Sequence, residues 1–289
     1  LATPHTALIA LGLEAADCTV RPVSGGDIHR AFRVEAAGQR FFIKDNPQAP
    51  TDIFALEAAG LAALRQATQA EGLIKVPEVL AVGESFLALE WLDFANSGGG
   101  DSERLLGAGL AAMHQSTASQ FGWHEDNYIG TLPQNNAAVQ DSGNAAQFFA
   151  ERRLFTLVDG AAPKLPKELI HRVERLVASI DSFLPTDQKP SLLHGDLWGG
   201  NWSTDSKGQP WIYDPAVYFG CREAELAFTE LFGGFGPAFY AAYGERFPLE
   251  PGYRGRVDIW NLYPLLVHAR LFGGGYIQQV NQTLRRLVG

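Results

Sequence analysis

The stretch Leu192-Leu193-His194-Gly195-Asp196-Leu197-Trp198-Gly199-Gly200-Asn201, followed by Trp211-Ile212-Tyr213-Asp214-Pro215, constrains this chain more than any other. Two apolar residues enter a short polar loop, and a second apolar run leads out into another acid. One carboxylate (Asp196), a carboxamide five residues later (Asn201) and a second carboxylate on the following strand (Asp214) can therefore meet at one end of a strand pair. Hard oxygen donors of this kind suit a small divalent cation, and a carboxylate beside them can accept a proton from an alcohol.

Composition narrows the setting. With 289 residues, 46% of them hydrophobic and 19% charged, the chain can bury a sizeable core in one large or two modest domains. A net charge of -9 with no run of Lys or Arg argues against nucleic-acid partners. An acidic chain can still take ATP, because Mg²⁺ and a few local cations offset the phosphate charge. No stretch approaches the length of a membrane span, and the apolar Ala7–Leu13 lacks the basic start and the length of a secretory signal. Cys18 and Cys221 make no disulfide framework and fit a reducing, cytoplasmic environment. No oligomeric state follows from the sequence.

The spacing H-x-D-x-x-x-x-N followed by D is that of the catalytic loop and metal-binding aspartate of kinases. In that layout Asp196 accepts the alcohol proton or orients the hydroxyl, Asn201 and Asp214 hold Mg²⁺, and His194 braces the loop through hydrogen bonds. Other readings stand beside it. His194, Asp196 and Asp214 as hydrolytic metal ligands lack a second histidine. His-Gly-Asp alone is an ordinary turn tripeptide, and the same groups also suit a nucleotide-binding regulator without turnover.

A kinase loop requires an ATP site upstream. Residues 6–16 read as a short helix, and Val20–Val34 as strand, glycine turn, strand. Gly25-Gly26 lets the backbone approach phosphate oxygens, or is a turn and nothing more. Arg40–Lys44 is a strand on which Lys44 shares a face with Phe42, opposite Phe41 and Ile43. Lys44 is either a solvated strand end or a cation over the α- and β-phosphates. Residues 52–66 read as a helix with Phe54, Leu61 and Leu64 in its apolar stripe. Glu57 lies on that stripe and either pairs with Lys44 or reaches water at its edge.

Strands over 76–83 and 86–92 complete a β-rich part, residues 1–92, carrying one long helix. The hinge residues Glu90, Trp91 and Leu92 would meet the adenine edge through their backbone. The polar glycine loop that follows marks a boundary, with residues 93–289 mainly helical and holding the acceptor site. Asp101 or Ser102 can cap a helix bearing Leu106, Leu110 and Met113, and His114 at its end reads as structural. A long irregular stretch, Phe121–Asn144, has the length of a functional loop. Helices are expected over 145–159, 167–184, 222–232, 256–272 and 276–287, the last two around Gly273-Gly274-Gly275.

The order glycine turn, Lys44, Glu57, hinge, Asp196, Asn201, Asp214 resembles the protein-kinase-like superfamily that includes aminoglycoside and choline kinases. The segments His194–Asn201, Asp214-Pro215-Ala216-Val217-Tyr218, Arg222-Glu223-Ala224-Glu225-Leu226, Leu231–Phe235, Phe148–Leu154 and His268–Gly274 are similar, more narrowly, to the fructosamine kinase (ketosamine kinase) family. That resemblance implies an α+β, two-lobed kinase fold of the aminoglycoside-phosphotransferase type. It also implies ATP- and Mg²⁺-dependent phosphorylation of the 3-hydroxyl of ketoamine sugars, free or protein-bound, with Trp198 lining the sugar pocket. The alternatives are a kinase of another small hydroxylated amine or sugar, and a regulator that binds nucleotide without turnover. Cys221 stands where the family often has histidine, Glu225 where it has aspartate, and Val139 and Ala145 where tryptophans are expected.

Overall fold

The computed structural model describes residues 4–23, 29–95, 99–138, 144–158 and 165–289. Five antiparallel strands form the first part: β1 (Thr19–Val23), β2 (Arg30–Ala36), β3 (Gln39–Asp45), β4 (Val79–Gly83) and β5 (Phe86–Glu90), in the order β1-β2-β3-β5-β4. The alternation in β2 buries Phe32, Val34 and Ala36 on one face, where register pairs Phe32 with Ile43 and Val34 with Phe41. That face packs on Ala7 and Leu8 of α1 (His5–Ala10). The opposite face, with Phe42, Leu87 and Leu89, meets α2 (Ile53–Gln69). Lys44 lies on this second face, as its alternation with Phe42 requires.

Helix α2 is the joint of the molecule. Its stripe Phe54, Leu61 and Leu64 is fully buried, and it packs at once against the sheet and against Leu192, Leu197, Ile212 and Val217 around the polar loop. Gly60 permits this approach, since a Cβ there would stand 3.1 Å from Val217 Cγ2. The sheet ends at Glu90, and the chain then enters β6 (Phe94–Ala95). Register pairs β6 with β10 (Trp202–Asp205), which pairs in turn with β11 (Pro210–Ile212).

Beyond β6 the chain is mainly helical. Helix α3 (Gly100–His114) is followed by the hairpin β7 (Asn127–Ile129) and β8 (Leu132–Gln134). Then come α4 (Ala145–Phe148), a π-helical turn over Phe149–Phe155, α5 (Thr156–Val158) and α6 (Lys167–Ala178). Strand β9 (Ser191–Leu193) pairs with β12 (Tyr218–Gly220), and α7 (Arg222–Leu231), α8 (Pro237–Arg246), α9 (Tyr253–Trp260), α10 (Leu262–Phe272) and α11 (Gly275–Val288) close the chain.

Several boundaries differ from expectation. The first helix stops at Ala10, because Gly12 turns left-handed (φ 70°) and starts a separate 3₁₀ turn at Ala15–Asp17. Of the helix expected over 145–159, the described residues 145–158 are helical with a π-helical middle, and 256–272 breaks at Asn261. Neither Asp101 nor Ser102 caps α3, which starts after Gly99; Ser102 Oγ instead donates to the Gly208 carbonyl at 2.7 Å. Helix α8 was not anticipated. It lies so close on α3 that a Cβ at Gly107 would overlap the Phe239 carbonyl. Among the described residues no helix is long and apolar enough to cross a membrane.

Candidate active site

Strand β9 delivers His194 and Asp196 to the end of the β9/β12 pair, and β10–β11 returns the chain to Asp214. Gly195 makes the turn: its φ of +83° and the Ala216 carbonyl pressed against it both exclude a Cβ. Asn201 Nδ2 donates to the Asp196 backbone carbonyl at 2.8 Å and to Asp196 Oδ2 at 3.0 Å, which joins the ends of the loop. Tyr213 N–H donates to the Asn201 carbonyl and Ala216 N–H to the His194 carbonyl, at 3.1 and 2.9 Å. Asp214 is one of two non-glycine residues with positive φ, at 59°, among the described residues. A strained carboxylate at a loop end marks a functional candidate.

Lys44 Nζ reaches Glu57 Oε1 and Asp214 Oδ1, each at 2.7 Å. One cation on the sheet thus joins an acid on α2 to an acid 170 residues away in sequence. Lys44 and Glu57 are nearly closed off from water, whereas the Asp214 side chain is 43% exposed. Of the two readings of Glu57, the structure has the ion pair.

Electrostatics separate the carboxylates. Burial first, and the charge of Asp214 second, push the Asp196 carboxyl well above the usual carboxylate range, while the bond from Asn201 pulls it down. Burial works against the charge of Lys44, yet Asp214 and Glu57 hold its pKa above the ordinary lysine value. Burial raises Glu57, with Lys44 opposing. His194 is pushed down by burial and is neutral at pH 7. Its Nδ1 accepts from Asp196 N–H at 3.3 Å and its Nε2 lies 3.0 Å from the Tyr213 carbonyl, so the Nε2–H tautomer braces both sides of the loop.

Support comes from residues whose part the sequence did not disclose. Glu225 of α7 accepts from His194 N–H at 3.1 Å and Gly195 N–H at 2.7 Å, and its Oε2 meets His114 Nε2 at 2.9 Å. His114 Nδ1 meets the Tyr243 hydroxyl at 2.8 Å. His114 is therefore structural, as expected, but in the service of the loop. The stretch after Phe121 is a buried polar brace: Asn127 Nδ2 donates to the Val217 carbonyl at 2.8 Å and Gln134 Nε2 to that of Ala216 at 3.1 Å. Arg153, on the π-helical turn, donates to Asn136 Oδ1 at 2.8 Å and stands 3.9 Å over the Tyr218 ring. Asn136 holds the Asn127 and Gln134 pair from behind, its Nδ2 donating to Asn127 Oδ1 at 2.8 Å. The amides of Asn127 and Gln134 are visible in the sequence; their targets, backbone carbonyls after Asp214, are not.

The remaining expected residues fall as follows. Gly25 and Gly26, like Val139, lie outside the described residues. Glu90 is tied to Glu78 by two bonds, its N–H on the Glu78 carbonyl at 3.1 Å and its Oε1 accepting Glu78 N–H at 2.8 Å, and its carboxylate faces Arg65 at 3.8 Å. Trp91 lies under the Arg33 guanidinium, 5.0 Å from it, and its Nε1 donates to Asp93 at 3.0 Å. Leu92 is partly buried. Trp198 is 42% exposed at the loop surface. Among the described residues no three His, Cys, Asp or Glu side chains cluster as a metal site. The oxygen set is Asp214 and Asn201, beside an Asp196 whose charge Asp214 disfavours. That set is short of positive charge and fits a hard cation whose shell is completed by phosphate oxygens and water.

A family model for fructosamine kinase matches residues 9–289. A "probable ketoamine kinase" of Synechocystis is 42% identical over 276 residues, 92% of this chain and 89% of its own. The chloroplastic protein-ribulosamine 3-kinase of Oryza sativa subsp. japonica is 35% identical over 266 residues, 89% of this chain and 75% of its own. The crystal structure of a candidate fructosamine-3-kinase from Thermobifida fusca matches with a TM-score of 0.84 at 32% identity, covering 98% of this chain and 99% of that one. An aminoglycoside phosphotransferase, at 14% identity and a TM-score of 0.63, shares the fold alone. The α+β, protein-kinase-like fold expected from the sequence is the fold found. The chain belongs to the fructosamine kinase family and is an ATP-dependent kinase.

Proposed function

We propose that this enzyme transfers the γ-phosphoryl group of ATP to a sugar hydroxyl, O3, of a ketosamine such as a fructosamine or ribulosamine, free or protein-bound. The observation that carries the reading is the double contact of Lys44 with Glu57 and Asp214, beside an Asp196 tied to Asn201. Residues 1–92 act as the nucleotide lobe and 93–289 as the acceptor lobe, in a cytoplasmic protein.

Lys44, held by Glu57, lies over the α- and β-phosphates, with Gly25 and Gly26 supplying backbone N–H groups to the same phosphates. Glu90, Trp91 and Leu92 meet the adenine edge; the Glu90 N–H is excluded from that role by its bond to Glu78. Asp214 and the Asn201 carboxamide oxygen would hold Mg²⁺, the Asn201 amide being spent on Asp196. When bound, Mg²⁺ neutralises charge on the phosphate oxygens. Asp196 accepts the sugar hydroxyl proton as the hydroxyl oxygen bonds to the γ-phosphorus; the bond to the β–γ bridging oxygen breaks and its electrons leave on ADP. Trp198 lines the sugar side of the loop.

A screen of free and protein-linked ketosamines with ATP turnover as readout tests this. The expected result is ketosamine-driven ADP release, lost in Asp196→Ala, with the product phosphorylated at C3 by ³¹P–¹³C NMR coupling. Turnover on a plain sugar or amino alcohol and on no ketosamine would overturn the substrate assignment. Full activity in Asp196→Asn would overturn the role of Asp196.

A further inference from the structure

Four aromatic side chains that the mechanism leaves unused form a continuous surface beside the catalytic loop. Phe232, just past α7, stands 4.7 Å from the His268 ring and 6.5 Å from that of Tyr276. His268 meets Tyr276 at 5.0 Å and Phe272 at 5.6 Å, and Phe272 meets Tyr276 at 6.3 Å. Positive φ at Gly273 and Gly274 (66° and 57°) turns α11 back, which brings Tyr276 over α10. Phe272 is 57% exposed and Phe232 38%. Contiguous exposed apolar patches mark interaction or ligand-binding surfaces.

The surface starts at the loop itself. A Cβ on Gly199 would lie 3.0 Å from the Gly233 carbonyl, so backbone meets backbone between Trp198 on one side and Phe232 on the other. Trp202 Nε1 fastens the contact on the Gly234 carbonyl at 3.1 Å. At its root, Phe232 stands 5.8 Å from Phe228, which lines a small cavity with Gly195 and Glu225 behind the loop.

A ketosamine has two parts, the sugar that is phosphorylated and the substituent on its amine. Resting on the ketosamine reading above, which accounts for the sugar alone, we infer that Phe232, His268, Phe272 and Tyr276 bind the amine substituent and select ketosamines of apolar or aromatic amines. Ring faces bury apolar chains and attract the positive charge of the protonated nitrogen.

The test compares kcat/KM for the ribulose adducts of benzylamine and of methylamine. The wild-type enzyme is expected to favour the benzylamine adduct, and Phe272→Ala to cut the ratio of the two values about fivefold, the scale of one aromatic contact. Tyr276→Ala should act in the same direction. Val82→Ala, at another exposed apolar site, on β4, should leave the ratio in place. A ratio near one in the wild type, or an unchanged ratio in both ring variants, overturns the inference while leaving ketosamine phosphorylation standing. Turnover of neither adduct overturns this inference, and with no turnover of the corresponding fructose adducts it overturns the ketosamine reading as well. A concentration-dependent dimer lost in Phe272→Ala would assign the surface to a second copy instead, and would also overturn it.

Discussion

Two groups of charged residues follow one another in this chain: the acids of the loop, Asp196 and Asp214, and the block Arg222-Glu223-Ala224-Glu225. In the folded protein they are opposites. Glu223 is fully buried, accepts two bonds from Arg256 at 2.7 and 2.6 Å, and takes the Trp260 indole N–H at 3.1 Å. Arg222 donates to the Phe247 and Pro248 carbonyls at 2.8 and 2.6 Å and lies 3.7 Å over the Phe247 ring. Glu225 is filled by His114 and two loop N–H groups. Among the described residues the Asp214 side chain meets Lys44 and is 43% exposed, and Asp196 is bonded by an amide and repelled by its neighbour. Saturated charge builds the protein; charge with spare capacity, facing the open, is what can do chemistry.

The comparison can be broken by mutation. Asp196→Ala should lower kcat by roughly 10²- to 10⁴-fold, the reach of a positioned general base. Its unfolding midpoint should hold or rise, because the repulsion from Asp214 is gone. Glu223→Ala should do the reverse. Leaving Arg256 and Trp260 without their partner should cost about 3–5 kcal/mol of stability in urea unfolding, as for other broken buried ion pairs. Turnover per folded molecule, assayed well below the midpoint, should stay close to wild type. A large kcat loss there would erase the distinction.

His114 tests the middle ground. His114→Leu removes a donor from a fully buried carboxylate and should cost about 1–3 kcal/mol. It should also lower kcat more than it raises KM for ATP, because Glu225 then holds His194 and Gly195 less firmly. Gln at 114, which can still donate, should recover part of both. Equal changes in kcat and KM would make His114 a packing residue and no more.

The smallest effect is a pH dependence. Burial opposes the charge of Glu225, but His114 and the loop N–H groups outweigh it and hold the carboxyl below its ordinary 4.5. Its stabilisation is therefore complete above pH 4.5 and is lost as pH falls through the lower folded value. Urea midpoints measured from pH 7 down to pH 3 should fall less steeply in Glu225→Gln than in the wild type. Parallel curves would mean that the carboxylate is not specially held.

What could be read ahead of the structure was mostly local. Period-two alternation placed Lys44 on the face of Phe42, and the stripe of α2 carried Glu57 to it. The loop could be read because apolar runs flank its polar groups. Its braces could not, because Glu225, Asn127 and Gln134 act on backbone atoms distant in sequence, which leave no trace in spacing. Helix α8 escaped notice because Phe239, Tyr240 and Tyr243 blur its apolar stripe, and its packing on Gly107 is a tertiary fact. The π-helical turn in 145–159 was hidden for a related reason: Arg153 is buried there by partners from other elements.

At Gly60, Gly195 and Gly199 the surroundings press on the catalytic segment so closely that a single added methyl group would have to displace them. A lineage carrying this loop has little freedom to drift at these three positions, and least at Gly195, where both the φ and the Ala216 carbonyl exclude a side chain. Its freedom lies in the rings of Phe232, just past α7, and of Phe272, at the end of α10, both of which face outward. New acceptors would be acquired there, at the rim, while the machinery is inherited intact.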